Sequence, residues 1–263
     1  MNTDAVALQL YTVRDETARD FAGTLRRVAA LGYKAVEFAG YGGLSAAQQR
    51  DLLAETGLTA ASTHVGLDIL AHTPDDAIAY CKAIDCRYLV LPGLPNERRN
   101  PEALRALAPR LDDLGRRCQE QGITFGYHNH DWEFAGHADG TALLDLLLDA
   151  TDPALVALEL DAYWVSYAGA DPVAYLQRRT DRVPLVHLKD MTPERTFAEV
   201  GDGTLDMGAF IAAARAAGAR WYIVENDAPT IPSLDSARRS LTNLQAMAGG
   251  LIGAHEHVAK RRQ

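Results

Sequence analysis

Short apolar runs alternate with longer amphipathic segments along the whole chain. The short runs are typical of β-strands, and the longer segments place apolar residues on one face of an α-helix. Eight such units can be counted, which favours repeated strand–helix pairs and a parallel sheet. The predicted strands lie at residues 6–10, 35–38, 59–63, 88–91, 123–127, 156–160, 185–188 and 221–224.

The segments between these strands carry signals for helix boundaries. Pro74 and Pro101 suit the first turn of a helix, where a missing backbone N–H is tolerated. Glycines suited to the end of a helix stand shortly before several predicted strands, at Gly32, Gly57, Gly122 and Gly218. The predicted helices lie at residues 18–31, 46–56, 74–84, 101–121, 141–150, 172–178, 207–217 and 234–248.

The number of units favours a closed barrel over an open sheet. A doubly wound open sheet usually has about five or six strands, and no GxGxxG pattern follows the first predicted strand. The length of 263 residues is near the usual size of one eight-unit barrel. We therefore predict an α/β fold, a (β/α)8 TIM barrel, as a single domain over residues 1–252, followed by a basic C-terminal tail over residues 253–263.

Composition and charge narrow the choice of partners. The chain has 35 acidic against 26 basic residues and a net charge of −9, so its field repels nucleic acid. Its three cysteines lack the spacing of a disulfide framework, which favours a reducing compartment. The sequence starts without a basic, apolar leader and has no apolar run of about 18 residues. We expect a cytoplasmic protein with no membrane or nucleic-acid partner, and a homo-oligomer is compatible with the sequence.

Acidic and imidazole side chains follow several predicted strands. Residues 128–133 hold two imidazoles and two carboxylates, and Asp161, His187 and Glu225 each follow a later apolar run. In a barrel of this kind the carboxyl ends of the strands form the active face. One such residue alone is more often structural, but their convergence from several strands predicts a metal-dependent active site.

These residues also carry a resemblance. The chain resembles the sugar phosphate isomerase/epimerase family of xylose-isomerase-like TIM barrels over essentially its full length. The resemblance implies a divalent cation held by residues after strands five to eight, and Asp161, His187 and Glu225 match the last three positions. The first position holds His128 where many members have glutamate.

Two ligand sets are therefore open at strand five. Either His128 binds the cation directly, or Glu133 turns back to bind it and leaves His128 free for proton transfer. We favour the second because a hard cation gains more from a third carboxylate. The expected metal ligands are then Glu133, Asp161, His187 and Glu225. Mostly oxygen ligands make Mn²⁺ the expected single cofactor, with Mg²⁺, Co²⁺ or Zn²⁺ as alternatives.

The resemblance implies proton transfer next to a metal-bound carbonyl of a sugar or polyol substrate. We expect a metal-dependent isomerase or epimerase of a sugar or keto-sugar, with keto-inositols among the candidates. The expected catalytic residues are His128, Glu225 and Lys189. The expected substrate-binding residues are Gln9, Arg14, Glu37, His64, His130 and Trp164.

Trp164 stands where several epimerases have histidine, which argues against simple 3-epimerisation of a free ketose. The Tyr-His-Asn-His-x-x-Glu-Phe pattern that begins at Tyr127 is closer to members that resemble inosose dehydratases and isomerases or enzymes acting on 3-keto sugars. A dehydratase or lyase with the same site is the main alternative. An endonuclease-IV-like DNA repair enzyme would need a basic surface, which the acidic charge disfavours. A catalytically silent sugar-binding barrel would bind ligand without proton exchange.

Overall fold

Eight buried parallel strands form the inner wall of the molecule. The structure is a computed structural model that describes residues 5–134, 136, 140–180 and 182–259, with side chains described up to residue 247. The strands are β1 (Val6–Gln9), β2 (Ala35–Phe38), β3 (Thr59–His64), β4 (Tyr88–Leu91), β5 (Thr124–His128), β6 (Val156–Asp161), β7 (Leu185–Leu188), β8 (Asp190–Met191), β9 (Phe197–Ala198) and β10 (Trp221–Val224). β1 pairs with β2 on one side and β10 on the other, so the barrel is closed. β8 and β9 form a separate antiparallel ribbon.

Helices surround this barrel and cover the outer face of its strands. They are α1 (Arg14–Arg19), α2 (Phe21–Leu31), α3 (Ala46–Thr56), α4 (Leu67–His72), α5 (Pro74–Ala83), α6 (Pro101–Glu120), α7 (Leu143–Asp149), α8 (Ala162–Tyr167), α9 (Pro172–Arg178), α10 (Met207–Ala216) and α11 (Ser233–Ala259). The large apolar core lies between the two layers. Among the described residues, the helices lack the length or apolar character needed to cross a bilayer.

The predicted single-domain TIM barrel is confirmed. Each predicted barrel strand agrees with the structure to within one residue at either end. The four glycines predicted to end helices have φ values of 107°, 68°, 74° and 87°, in chain order. This left-handed conformation is open to glycine at little steric cost, which is why it marks the helix ends.

The structure corrects the prediction at both ends of the helical layer. The first predicted helix is interrupted at Asp20, whose extended backbone ends α1 and whose side chain accepts a hydrogen bond from Gly23 N to begin α2. The last helix continues as backbone to residue 259, past its predicted end. It includes part of the predicted tail at 253–263, whose residues 260–263 lie outside the described residues.

Three further elements were not predicted. Helices α4 and α8 are six residues long, and the β8–β9 ribbon has two residues in each strand. Segments this short give no hydrophobic period that a sequence window can detect. They nevertheless lie in the loops after the barrel strands, where the active face of this fold is formed.

The interior of the barrel has an apolar floor beneath a polar layer. The floor consists of small and branched side chains, at Ala7, Ala35, Ala61, Val90, Leu185 and Ile223. Side chains alternate along a strand, so the residue two positions later points into the same interior. This rule places Glu37 above Ala35, His187 above Leu185 and Glu225 above Ile223.

Close packing between α6 and the start of β6 yields a stability test. A β-carbon added at Gly115 would collide with the carbonyl oxygen of Leu155. We expect Gly115→Ala to lower the free energy of unfolding by about 1–3 kcal/mol, the usual scale of overpacking, despite the better helix propensity of alanine.

The matched control is Gly208→Ala in α10, where the nearest atom, Asp206 Oδ1, lies 3.4 Å from the added carbon. This control should be neutral or slightly stabilising in urea unfolding. A Gly115→Ala protein as stable as the parent would contradict the packing argument.

Candidate active site

A pocket of about 440 Å³ opens at the carboxyl ends of the strands, and we call it the central pocket. Its lining residues are Tyr11, Ala39, His64, Pro92, His128, His130, Lys189, Glu225 and Asp227. Five of them were predicted as site residues, at His64, His128, His130, Lys189 and Glu225. Titratable groups at the ends of β3 and β5 and directly after β7 and β10 therefore converge on one pocket, as expected of the active face of this fold.

Four buried side chains could hold a metal ion at this pocket. One ligand atom from each of His128, Asp161, His187 and Glu225 can be chosen so that all lie within 4.8 Å of one another. His187 Nδ1 lies 2.9 Å from Glu225 Oε2 and 3.9 Å from Asp161 Oδ2. His128 Nε2 also lies 3.9 Å from Asp161 Oδ2. Two imidazole nitrogens and two carboxylate oxygens are a donor set that suits a divalent transition-metal ion.

A second group of donors lies deeper in the barrel and shares the two imidazoles. It consists of His64, His128, Glu159 and His187. Glu159 Oε2 lies 2.7 Å from His64 Nε2, 3.1 Å from His128 Nδ1 and 3.2 Å from His187 Nε2. His128 therefore points Nε2 toward Asp161 and Nδ1 toward Glu159. His187 points Nδ1 toward Asp161 and Glu225, and Nε2 toward Glu159. Metal-binding histidines commonly have this arrangement, because a carboxylate on the far nitrogen fixes the ring.

Glu37 is the carboxylate that fixes His187. Its Oε1 lies 2.8 Å from His187 Nε2 and accepts a hydrogen bond of 2.6 Å from Gln9 Nε2, while Ser62 Oγ donates to its Oε2. Burial, followed by repulsion from Glu159, raises the pKa of Glu37. Glu37 and Gln9 were predicted to bind substrate, but both are fully buried beneath the central pocket and outside its lining.

Glu133 lies outside both groups of donors. Its Oε1 accepts a 2.6 Å hydrogen bond from Tyr127 OH, and its Oε2 accepts a 2.8 Å hydrogen bond from the backbone N–H of His130. Tyr127 and His128 are adjacent on β5 and point to opposite faces, so Glu133 contacts the face away from His128. Glu133 thus braces the loop that carries His130, which is a different place from the one predicted for a metal ligand.

Lys189 supplies buried positive charge at the rim of the four-residue group. Its Nζ lies 3.1 Å from Asp161 Oδ2, 2.8 Å from Glu225 Oε2 and 3.1 Å from Asp227 Oδ1. Burial opposes the charge, but these three carboxylates outweigh it and raise the pKa of Lys189. Burial likewise opposes the charge on Glu225, yet Lys189 and His187 hold the pKa of Glu225 well below its ordinary value.

The remaining predicted residues lie at the edge of the central pocket or beyond it. Burial, then the charge of Lys189, lowers the pKa of His130 to about 3, so its ring is neutral. The ring centres of Trp164 and His130 lie 5.4 Å apart, and Trp164 lines a neighbouring pocket. Arg14 is exposed, with its guanidinium 4.2 Å above the ring of Tyr11, and lies outside the central lining.

Sequence reasoning did not assign roles to Tyr11, Asn129 or Asp227. Tyr11 follows β1 and is 44% exposed at the rim of the central pocket. It carries no charge and belongs to no spaced motif, so nothing in the sequence marks it as a pocket residue. Asn129 is buried, and its Oδ1 accepts a 3.0 Å hydrogen bond from Asp161 N, which joins the end of β5 to β6. Asp227 was visible as the third residue of an acidic segment after β10, and this position was its only signal.

The xylose isomerase-like TIM barrel family matches residues 25–247, so the chain belongs to this family, as predicted. The chain is similar to curated proteins named inosose dehydratase. The one from Bacillus anthracis is 36% identical over 93 residues, which are 35% of this chain and 30% of that protein. The one from Clostridium beijerinckii is 35% identical over 125 residues, 41% of each chain. The chain thus spans less than half the length of these relatives.

Among solved structures, the fold is similar to a sugar phosphate isomerase/epimerase from Parabacteroides distasonis. The two superpose with a TM-score of 0.81 at 24% sequence identity, over 94% of this chain and 95% of that one. At this sequence identity the similarity supports the barrel fold, and it covers nearly the whole chain.

The position of Glu133 gives a pH-dependent stability prediction. Burial raises the pKa of Glu133 from about 4.5 to about 7. Between these values the folded state binds the proton more tightly than the unfolded chain, so the contribution of Glu133 to stability falls as pH rises through this window. The Glu133→Gln variant has no titrating group at this position. The difference between its Tm and the Tm of the parent, variant minus parent, should therefore increase from about pH 5 to about pH 8.

The measurement is thermal unfolding in the presence of a chelator, at several pH values. Glu120→Gln, at the exposed end of α6, is the control for loss of one acidic charge. A Tm difference for Glu133→Gln that stays constant or decreases with pH would contradict the prediction.

Proposed function

We propose that this protein is a divalent-metal-dependent enzyme that removes a proton next to the carbonyl of a keto-sugar or keto-polyol, and so isomerises or epimerises it. The observation that carries the proposal is the convergence of four donor atoms within 4.8 Å, from the ends of four barrel strands, at the central pocket. Membership in the xylose isomerase-like family supports the same assignment.

We propose His128, Asp161, His187 and Glu225 as the metal ligands. His128 takes the position first assigned to Glu133, because both oxygens of Glu133 are hydrogen-bonded elsewhere. A set with two imidazoles makes Mg²⁺ a poorer match and favours Mn²⁺ or Co²⁺, with Zn²⁺ as the nearest competitor. His128 then acts as a ligand instead of the proton-transfer group that the sequence suggested.

When bound, the cation would polarise a substrate carbonyl and make the neighbouring C–H more acidic. Glu225 is ionised and lies at the pocket surface, so it is the proposed base for that proton. Lys189 lies 2.8 Å from Glu225 and places a fixed positive charge where negative charge would form on the substrate. His64 and His130 line the same pocket and are the proposed partners for substrate hydroxyls.

Dehydration is the second candidate reaction. It shares the same first proton removal and then expels a hydroxyl from the adjacent carbon. The curated relatives named inosose dehydratase favour it. The product separates the two reactions, because dehydration releases water and leaves an unsaturated or rearranged ketone.

Proton exchange in D₂O tests the proposed function. The Mn²⁺-loaded protein is incubated with keto-inositols, 3-keto glucosides and free ketoses, and NMR follows deuterium at the carbon next to the carbonyl. We expect uptake with at least one of these compounds, accompanied by an isomeric or a dehydrated product. Binding of the compounds without deuterium uptake or product would leave only a sugar-binding barrel and would overturn the proposed enzyme.

Metal affinity tests the ligand assignment independently of activity. We expect His128→Ala to weaken Mn²⁺ binding by at least about 100-fold, because it removes a ligand, and Glu133→Gln to remain within a few-fold of the parent. Calorimetric titration measures affinity, and circular dichroism checks folding. His72→Ala, on the exposed end of α4, is the matched histidine control. The opposite ranking of His128→Ala and Glu133→Gln would return Glu133 to the ligand set.

A further inference from the structure

A second pocket lies beside the central pocket, and the mechanism above does not use it. It has a volume of about 700 Å³, and we call it the aromatic pocket. Its lining residues are Asp131, Tyr163, Trp164, Tyr167, Arg195, Thr196, Phe197, Ala228 and Thr230. Four of these are aromatic, which is a high share in a protein with 7% aromatic residues.

The aromatic side chains form one packed wall. α8 carries Tyr163, Trp164 and Tyr167, and β9 carries Phe197. The Tyr163 ring stacks on that of Phe197 at 4.5 Å between centroids and lies edge-on to Trp164 at 4.9 Å. Tyr163 itself is buried, whereas Trp164, Tyr167 and Phe197 are half-buried and offer ring surface to the pocket. Mutual packing of this kind holds the wall in one conformation.

The wall is attached to the proposed metal centre. Asp161 directly precedes α8, and its Oδ1 accepts a 3.0 Å hydrogen bond from the backbone N–H of Trp164 in the first turn of that helix. Lys189 Nζ lies 5.3 Å from the centre of the Trp164 ring, and His130 lies 5.4 Å from it. Trp164 therefore contacts two residues of the central pocket while it lines the aromatic one.

The loops after β5 and β10 also connect the two pockets. His130 lines the central pocket and Asp131 the aromatic one, and Asp227 and Ala228 divide in the same way. A ligand that extends over this shared rim would reach from one pocket into the other.

We propose that the aromatic pocket is a subsite for a second sugar ring, joined by a glycosidic bond to the keto ring that reacts in the central pocket. This inference rests on the proposed function and narrows its substrate class to keto-glycosides with a carbohydrate aglycone. The C–H face of a pyranose is apolar and fits half-buried aromatic rings, while its hydroxyls lie around the edge.

The rim of the aromatic pocket supplies partners for those hydroxyls. Asp131, Thr196 and Thr230 are polar residues of the lining. Arg195 is fixed there because its carbonyl accepts a 3.0 Å hydrogen bond from Tyr163 OH and its guanidinium lies 4.6 Å above the Tyr167 ring. A wall of rings with a polar rim matches a hydroxylated ring better than a wholly apolar group.

Paired substrates with the same reacting ring test the subsite. We compare kcat/KM for 3-keto trehalose with that for methyl 3-keto-α-glucoside, in which a methyl group replaces the second ring. The parent should prefer the two-ring substrate, and Tyr167→Ala should reduce this preference by about tenfold, the effect of losing one good contact. Tyr88→Ala, an aromatic residue at the opposite end of the barrel at the start of β4, should retain the preference.

Binding of unreactive trehalose, measured by saturation-transfer NMR, provides a readout that does not depend on catalysis. Stronger saturation transfer to trehalose than to methyl α-glucoside in the parent, with loss of this excess in Tyr167→Ala but not in Tyr88→Ala, supports the subsite even if no keto compound is turned over. Deuterium uptake with the one-ring substrate, but no preference for two rings and no effect of Tyr167→Ala on kinetics or trehalose binding, overturns the subsite and leaves the proposed function standing.

Discussion

The site depends on one physical requirement: several carboxylates are buried together, and only a few cationic groups compensate their charge. Glu37, Glu159, Asp161 and Glu225 are at most 6% exposed. Unpaired, each would cost several kcal/mol to bury. His187 contacts Glu37 on one nitrogen and Glu225 on the other, and although burial opposes its charge, the carboxylates raise the pKa of His187 well above its ordinary value. A divalent cation would replace protons held in this way, so metal binding and proton release are coupled.

The alternation of side chains along the strands explains how much of this arrangement was predictable. Once the strands were located, Asp161, His187 and Glu225 had to meet at one end of the barrel, and the structure brings them together. The direction of Glu133 could not be predicted, because it depends on hydrogen bonds to Tyr127 and to the His130 backbone that form only in the folded loop. Short elements such as α8 were missed for the same reason: tertiary contacts, not a sequence period, determine them.

Asp161 joins the proposed metal position to the aromatic pocket through its two oxygens. Oδ2 faces Lys189 and the proposed metal position, while Oδ1 caps α8. A change in the position of this carboxylate would therefore shift the Trp164 wall together with the metal centre. Such coupling would give the proposed subsite, whose wall lies mainly on α8, the positional precision of the rigid strand β6 before it.

The charge state of Lys189 bears on which reaction follows proton removal. Three carboxylates raise the pKa of Lys189 against the effect of burial, so the ammonium retains its proton and acts as a fixed positive charge. His130 is neutral, so its only exchangeable ring proton is a single N–H, and a neutral imidazole is a poor acid for a departing hydroxyl. All three reactions begin with a base and stabilised negative charge, the roles proposed for Glu225 and Lys189, and all three then need a proton returned: to carbon in isomerisation and epimerisation, and to the departing hydroxyl in dehydration. The central pocket offers two groups to carry that proton: the carboxyl that Glu225 becomes on taking the substrate proton, and Asp227, whose pKa is raised to about 7, chiefly by burial and then by Glu225.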